Sequence, residues 1–232
     1  FKRFPDAPGV YFFRGPKREI LYVGKATSLR DRVKSYFVHN IAEIRSPLIE
    51  KIVSDASALE FEQTDSVLEA LIVEAKLIKK HAPIGNTSNK DNKSWNYLVV
   101  TKEVFPRVLV VRERELSQRF PISAIQALFG PFPSAATLRE ALKIIRKIFP
   151  FFDTEFSVGV GKLTPAQEKK VRFNQSIGLY PQFDISSFTK VTERQYKKTT
   201  RAVIDIFSAR KETLIKRLEK EMYQASKKQK FE

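Results

Sequence analysis

The sequence predicts an α+β fold in which a small mixed or antiparallel sheet is flanked by helices and followed by a mostly helical C-terminal region. Residues 10–13 and 20–23 are rich in β-forming side chains and are joined by a charged Gly-Pro segment, which indicates a hairpin. An apolar pattern of helical period covers residues 66–81, and residues from about 188 onward are polar and helical. With 232 residues, 42% of them hydrophobic, the chain can bury a core in one or two domains.

Each remaining element follows from a local signal. Ser28 is placed to cap a first helix, and Ser66 is placed to cap the long helix that stops before Pro83. Thr164 begins a capping-box sequence for a shorter helix. The other predictions are a helix over 41–57, strands over 59–63, 97–101 and 108–112, a rigid turn over 129–133, and a helix over 135–149.

Charge and composition restrict the classes of function. The chain has 42 Lys and Arg against 26 Asp and Glu, a net charge of +16, which favours a polyanionic partner such as nucleic acid over a merely basic surface. It has no cysteine and two histidines, so disulfides, iron–sulfur clusters and Cys/His zinc sites are excluded. A metal, if bound, must be a hard cation held by oxygen ligands. We see no membrane span and no signal peptide.

Glu74 is an unusual residue on the 66–81 helix. Its neighbours three and four positions away, Ala70, Leu71, Leu77 and Ile78, are all apolar, so its carboxylate projects from the face that the helix should bury. A buried carboxylate needs a cation or strong donors. A salt bridge to a nearby Lys or Arg and a role as a metal ligand both satisfy this need.

Tyr22 stands at a strand end just before a glycine turn and a helix, where a phenol can meet a phosphate. Lys25 precedes that helix, and Arg32 and Tyr36 lie four residues apart on one of its faces. Together these groups can attract and grip a phosphodiester. The alternative is that Tyr36 belongs to the core and Arg32 is a solvated helix residue.

Two short motifs, Gly9-Val10-Tyr11 and Tyr22-Val23-Gly24-Lys25, resemble those of the GIY-YIG nucleases. Further stretches make the chain similar to the N-terminal half of the UvrC family of excinucleases. These stretches are Pro8 to Tyr11, Leu21 to Ala26, Leu29 to Phe37, Glu69-Ala70-Leu71, Glu74-Ala75, Leu77 to Lys80, Pro83 to Asn86, Lys90 to Ser94, Phe105-Pro106-Arg107 and Phe129-Gly130-Pro131.

The resemblance implies a GIY-YIG fold and a role for each site residue. Tyr22 would be the general base, Glu74 the sole protein ligand of one Mg²⁺ or Mn²⁺, and Arg32 the brace of the phosphate. A phenol needs nearby positive charge to act as a base at neutral pH, which Lys25, Arg32 and the metal would supply. Four other side chains would complete the site through hydrogen bonds: Tyr11, Lys25, Tyr36 and Asn86.

The chain departs from the family pattern in three places. Lys76 stands where family members usually have Asn, two residues after Glu74; on a helix it turns away from Glu74, so we expect little effect on catalysis. The family's Lys-Tyr-Asn segment is here Ile84-Gly85-Asn86, and residues 150–182 lack the cysteines that commonly hold an iron–sulfur cluster. We therefore expect no cluster and expect ordinary packing to hold that segment. The candidate packing residues are Phe151, Phe152, Phe156, Phe173, Leu179 and Tyr180.

The resemblance also implies domains and partners. We predict an endonuclease domain over 1–86, a linking region over 87–187 and a helical region over 188–232, in which residues from about 212 resemble part of the UVR motif that docks on the helicase partner, UvrB. Ile215, Leu218, Met222 and Ala225 would form a coiled-coil-like seam. The first residue is Phe and the motif stops early, so we expect a fragment, without the family's second nuclease domain.

The predicted function is incision of damaged double-stranded DNA 3′ to a lesion, together with UvrA and UvrB, in the bacterial cytoplasm. One alternative is a stand-alone GIY-YIG nuclease that cuts without UvrB. Another is an inactive DNA-binding or adaptor module. Nicking with and without UvrB, and DNA binding with Mg²⁺ or chelator, separate the three.

Overall fold

The computed structural model describes residues 3–38, 41–44, 46–86, 95–185 and 187–227. Its strands are β1 Gly9–Arg14, β2 Ile20–Ala26, β3 Ala58–Gln63, β4 Asn96–Thr101, β5 Val108–Arg112 and β6 Ile125–Phe132. Its helices are α1 Leu29–Lys34, α2 Ile41–Ile44, α3 Pro47–Asp55, α4 Val67–His81, α5 Glu113–Arg119, α6 Ala135–Ile148, α7 Pro165–Ser176, α8 Lys190–Phe207 and α9 Lys211–Lys227. The chain is therefore α+β, as predicted. None of the described helices is long and apolar enough to cross a membrane.

Strands β1, β2 and β3 form an antiparallel sheet in the order β2-β1-β3. The central strand is buried on both faces because apolar side chains occupy all of its positions from Val10 to Phe13. Tyr11 and Phe13 pack on the side of α1 and α3 with Leu29, Val33 and Ile52 as neighbours. The alternate residues Val10, Phe12 and Val23 pack against α4 through Ala70 and Ile78. The sheet is thus a middle layer between helices.

The predicted helix caps are confirmed. The Ser28, Ser66 and Thr164 hydroxyls each accept the backbone N–H three residues later, and Gln167 completes the Thr164 capping box. Helix α1 is shorter than predicted and ends at Lys34, so Tyr36 follows the helix and Phe37 is exposed. The predicted strands over 59–63, 97–101 and 108–112 and the helix over 135–149 are all present within a residue of their predicted bounds.

Two predictions about secondary structure were wrong. The single helix over 41–57 is two helices, because Ser46 caps a new helix at Pro47, whose ring fits a first helical position. Residues 129–133 were predicted as a turn, but 129–132 end strand β6. This strand lies at an edge of the second sheet, whose order is β5-β4-β6, and an edge tolerates a proline that cannot donate a ladder hydrogen bond.

The chain forms two compact units. One comprises residues up to Asn96 together with Gly130–Leu138, and the other comprises Tyr97–Phe129 and the residues from Arg139 onward. The predicted three-part domain division stays a prediction.

In the second unit, aromatic side chains form the core of the segment that lacks cysteine. Phe105, Phe152, Tyr180 and Tyr196 are buried in one cluster, and Phe156 and Leu179 pack against it. The Tyr196 hydroxyl donates to the Pro106 carbonyl at 2.7 Å and accepts the Phe152 N–H at 3.0 Å. Phe173, which we expected in this core, is 62% exposed on α7, so that assignment was wrong.

Candidate active site

The two tyrosine motifs meet across the β1–β2 ladder. Tyr11 lies directly opposite Gly24, and Phe13 lies opposite Tyr22, so the aromatic side chains share one face of the sheet. A Cβ atom on Gly24 would overlap the Tyr11 phenol oxygen. The glycine therefore permits the close approach of the phenol, which explains why the two motifs occur together.

Tyr11, Tyr22 and Tyr36 form a triangle of aromatic rings beside Arg32. The ring centroids lie 5.6 Å to 6.4 Å apart. The Tyr11 and Tyr36 hydroxyls are hydrogen-bonded at 2.7 Å, and the Arg32 Nε donates to the Tyr11 hydroxyl at 3.1 Å. The Arg32 guanidinium carbon is 5.8 Å from the centre of the Tyr36 ring. Arg32 is thus held by this triangle and is not a freely solvated helix residue.

The carboxylate of Glu74 reaches the end of β2 from α4. Its Oε1 accepts the backbone N–H of Lys25 at 2.9 Å, while its Oε2 is buried and has no hydrogen-bond partner in the described parts of the chain. Burial raises the pKa of Glu74 to about 7, against the opposing effect of the Lys25 and Arg32 charges. Within the described residues Glu74 forms no ion pair, so the salt-bridge interpretation is not supported. An orphaned buried carboxylate oxygen fits a hard cation.

A cation at this position would have one carboxylate from the protein. The described residues contain no group of three or more His, Asp or Glu side chains that could hold a metal ion. The single-ligand site that the family resemblance implied stays a prediction. Glu74 is the residue whose chemistry fits the cation, and the rest of its coordination would come from water and substrate oxygens.

Burial dominates the acid–base properties of Tyr22. It raises the pKa of the Tyr22 phenol, and the neighbouring Tyr36 and the Glu74 charge raise it further, while Arg32 lowers it. Burial likewise raises the pKa of Tyr11. We expected nearby positive charge to depress the pKa of Tyr22, but Arg32 alone does not outweigh the loss of hydration.

Asn86 holds the strand that carries Tyr22. Its Oδ1 accepts the backbone N–H of Val23 at 2.7 Å, and its Nδ2 donates to the Val23 carbonyl at 2.8 Å. The side chain therefore acts as a neighbouring strand would, and both ends of the amide are engaged. The preceding Gly85 packs so closely that a Cβ would lie 3.0 Å from Cδ2 of Tyr22. Residues 84–86 therefore hold β2 and the ring of Tyr22 in position.

A cavity of about 570 Å³ opens in front of these groups. Four of the predicted site residues line it, namely Tyr22, Lys25, Arg32 and Glu74. Tyr11, Tyr36 and Asn86 lie behind them and support them. Its wall also includes residues that the sequence analysis did not assign to the site: Pro133, Ser134 and Thr137. The only sequence signal for them was the Phe129-Gly130-Pro131 stretch shortly before.

Comparison with known proteins identifies UvrC proteins as relatives of this chain. A model of the UvrC-like GIY-YIG domain matches residues 7–87. UvrABC system protein C from Carboxydothermus hydrogenoformans is 34% identical over all of this chain and 35% of that protein. The protein of that name from Desulforudis audaxviator is 44% identical over 64% of this chain and 23% of its own length.

A solved structure is also similar in sequence: the GIY-YIG N-terminal endonuclease domain of UvrC from Thermotoga maritima, bound to its catalytic divalent cation, magnesium. It is 34% identical, with 37% of this chain and 89% of that chain covered and a TM-score of 0.33. The chain belongs to the UvrC family. It spans about a third of the length of the UvrC proteins it matches. The UvrC-like stretch at Lys90 to Ser94 lies outside the described residues.

Proposed function

We propose that this chain is an endonuclease of nucleotide excision repair that hydrolyses a phosphodiester 3′ to a DNA lesion. It would require one Mg²⁺ or Mn²⁺ and would act with UvrA and UvrB. The observation that carries the proposal is the carboxylate of Glu74: the residue lines one cavity with Tyr22 and Arg32, and its buried Oε2 has no hydrogen-bond partner among the described residues. Magnesium in the related Thermotoga maritima domain supports the choice of cation.

Glu74 would hold the cation, which when bound polarises a phosphoryl oxygen and steadies the leaving 3′ oxygen. Tyr22 would take the proton of the attacking water. Its pKa is raised by burial, so the phenolate is a strong base but is scarce at neutral pH. The positive charge of Arg32 lowers the pKa of Tyr22 and would thereby favour the phenolate.

Arg32 would grip a non-bridging phosphate oxygen. Its Nε is engaged by the Tyr11 hydroxyl, which fixes the guanidinium plane and leaves the terminal nitrogens directed at other partners. The hydrogen bond between the Tyr11 and Tyr36 hydroxyls fixes the Tyr11 phenol to which Arg32 donates. Lys25 would add positive charge beside the scissile phosphate. Asn86 would act as a positioning residue, because both of its amide atoms bind Val23.

The C-terminal helix α9 is proposed as the contact with UvrB. Ile215 and Met222 are 43% and 71% exposed on it, so part of the predicted apolar seam is open to a partner. The Arg217 guanidinium binds the buried carboxylate of Asp205 at 2.7 Å, which fixes α9 to α8. Because this contact fixes α9 on α8, the exposed apolar residues of α9 would be held in place for a partner to bind. Residues 228–232 of the predicted motif lie outside the described residues.

The test is nicking of a lesion-bearing duplex by the wild-type chain and by Tyr22→Phe and Glu74→Ala. With Mg²⁺, UvrA and UvrB, both variants should lose nicking by at least about a thousandfold, while their DNA affinity changes little, because the groups act on the reacting atoms. Tyr97→Phe is the matched control, since it removes a phenol from β4, outside the site.

The outcomes distinguish the candidate functions. Full activity of Tyr22→Phe or Glu74→Ala would overturn the site assignment. Equal nicking with and without UvrB would indicate a stand-alone nuclease. No nicking by the wild-type chain, with DNA affinity identical in Mg²⁺ and in chelator, would indicate an inactive DNA-binding module.

A further inference from the structure

The active-site cavity has a wall outside the segment that the GIY-YIG domain model matches. Pro133, Ser134 and Thr137 line it at the start of α6, some fifty residues beyond the matched segment 7–87. Gly130–Leu138 belongs to the same compact unit as the GIY-YIG domain, separated from it in sequence by a segment of the other unit. The chain therefore returns to the domain at this point, and the start of α6 lines the same cavity as Glu74 and Arg32.

This wall offers hydrogen-bond donors. The Ser134 Oγ accepts the Thr137 N–H at 3.2 Å and the Thr137 hydroxyl at 3.1 Å. Both contacts use lone pairs of Ser134 and leave its own hydroxyl hydrogen to donate. The first turn of an α-helix also presents backbone N–H groups without helical acceptors, here those of Ala135 and Ala136, and carries a partial positive charge. α6 has 14 residues, so this charge is fully developed.

Another part of the same cavity wall suits a cation. Glu74 lines the cavity and is 6% exposed, and its buried Oε2 has no hydrogen-bond partner in the part of the chain that the structure describes. A buried carboxylate oxygen without a hydrogen-bond partner is stabilised by positive charge, whereas the start of a helix favours an anion. A phosphodiester associated with a divalent cation meets both requirements at once. Arg32 and Lys25 lie on the same cavity and favour the same ligand.

We propose that the start of α6 is a phosphate-binding subsite for the DNA strand that enters the active site. Ser134 donates its hydroxyl, and the first amides of α6 donate their N–H groups, to a backbone phosphate. The subsite holds the strand against Arg32 and Glu74 and carries no role in proton transfer. This inference rests on the proposed function, because it assigns the position of the nucleic acid in that same cavity.

Thr137→Asp tests the subsite, and a second substitution on the same helix is its matched control. An aspartate in the first turn suits a helix, so folding should be kept, but at residue 137 it places negative charge in the cavity. Ile144→Asp makes the same charge change on the same helix about two turns later, on a side chain that is 64% exposed and does not line the cavity. Affinity for a fluorescent DNA duplex, measured by anisotropy in chelator and again in Mg²⁺, should fall about tenfold or more for Thr137→Asp and no more than about twofold for Ile144→Asp.

Ser134→Asp is a second probe, because Asp caps a helix as well as Ser but is negative and cannot donate. It should weaken DNA binding about as much as Thr137→Asp and should raise KM for nicking with little change in kcat. Equal affinities of Thr137→Asp and Ile144→Asp would overturn the subsite. If the wild-type chain nicks DNA while these variants behave alike, this inference alone fails. If the wild type never nicks, the proposed function fails, and the affinities still decide the subsite.

Discussion

Glu74→Gln should stabilise the folded chain at neutral pH while removing the ligand that we assign to the cation. Burial raises the pKa of the Glu74 carboxyl from 4.5 to about 7. Each tenfold change in proton affinity corresponds to about 1.4 kcal/mol, so keeping this carboxylate ionised in the folded state costs about 3 kcal/mol. Glutamine keeps the shape and the acceptor for the Lys25 N–H but carries no charge. The variant therefore avoids the free-energy cost of ionising a buried carboxyl at residue 74.

The effect has a defined pH window. Between pH 4.5 and about 7 the folded chain retains a proton on Glu74 that the unfolded chain has released. The free energy of unfolding of the wild type therefore falls as the pH rises through this range, and the loss is complete only above about 7. Glu74→Gln lacks this loss. Its advantage in stability over the wild type should grow by about 2–3 kcal/mol between pH 5 and pH 8.

Urea denaturation at the two pH values, in the presence of a chelator, measures this difference. Glu69→Gln is the matched control, because it makes the same change on the same helix in a carboxylate that accepts a backbone amide at the helix start. Addition of Mg²⁺ at pH 8 should stabilise the wild type and leave Glu74→Gln unchanged. Identical pH dependence of the wild type and Glu74→Gln would refute the reasoning. So would stabilisation of Glu74→Gln by Mg²⁺.

Two further substitutions test the geometry of the site. Gly24→Ala should lower the free energy of unfolding by about 1–3 kcal/mol, since its Cβ would overlap the Tyr11 phenol and force the ring away from its partners. Wild-type stability with an unmoved Tyr11 ring in a crystal structure of the variant would contradict this. Asn86→Ala should lower it by about 2–4 kcal/mol, because a buried N–H and a buried C=O of β2 lose their partners. Asn174→Ala, which removes an amide that donates to the Lys170 carbonyl on α7, is its control in urea denaturation, and equal effects of the two would count against the role of Asn86.

Most of the fold could be predicted because its signals are local. The hairpin, the capped helices and the strand over 59–63 each depend on residues that are near one another in sequence. The errors have the same origin. A Ser-Pro pair can lie inside an apolar helical pattern and still start a new helix, as it does at Ser46. A Gly-Pro pair indicates a turn unless the strand that contains it lies at a sheet edge, as β6 does.

The candidate site could be predicted only in part. Periodicity alone identified Glu74 as a charge on a buried helix face, and family resemblance was needed to assign Tyr22 and Arg32. The direction of the pKa shift of Tyr22 was not accessible, because it depends on how completely three aromatic rings exclude water. The wall formed by Ser134 and Thr137 was missed, since its contact with the site joins residues about sixty positions or more apart. Local patterns carry no information about such a return of the chain.

The aromatic cluster of the second unit gives that region a stability that does not depend on iron. Phe152 and Tyr180 lie in the segment 150–182, where the family resemblance implied cysteines, and they pack with Phe105 and Tyr196; this chain has no cysteine. Its folding therefore requires no cluster assembly, and oxidants that destroy sulfur ligands have nothing to attack there. The region should fold equally well in iron-starved or aerated cells. In this chain the scaffold is independent of iron supply, and it is the chemistry at Glu74 that calls for a cation.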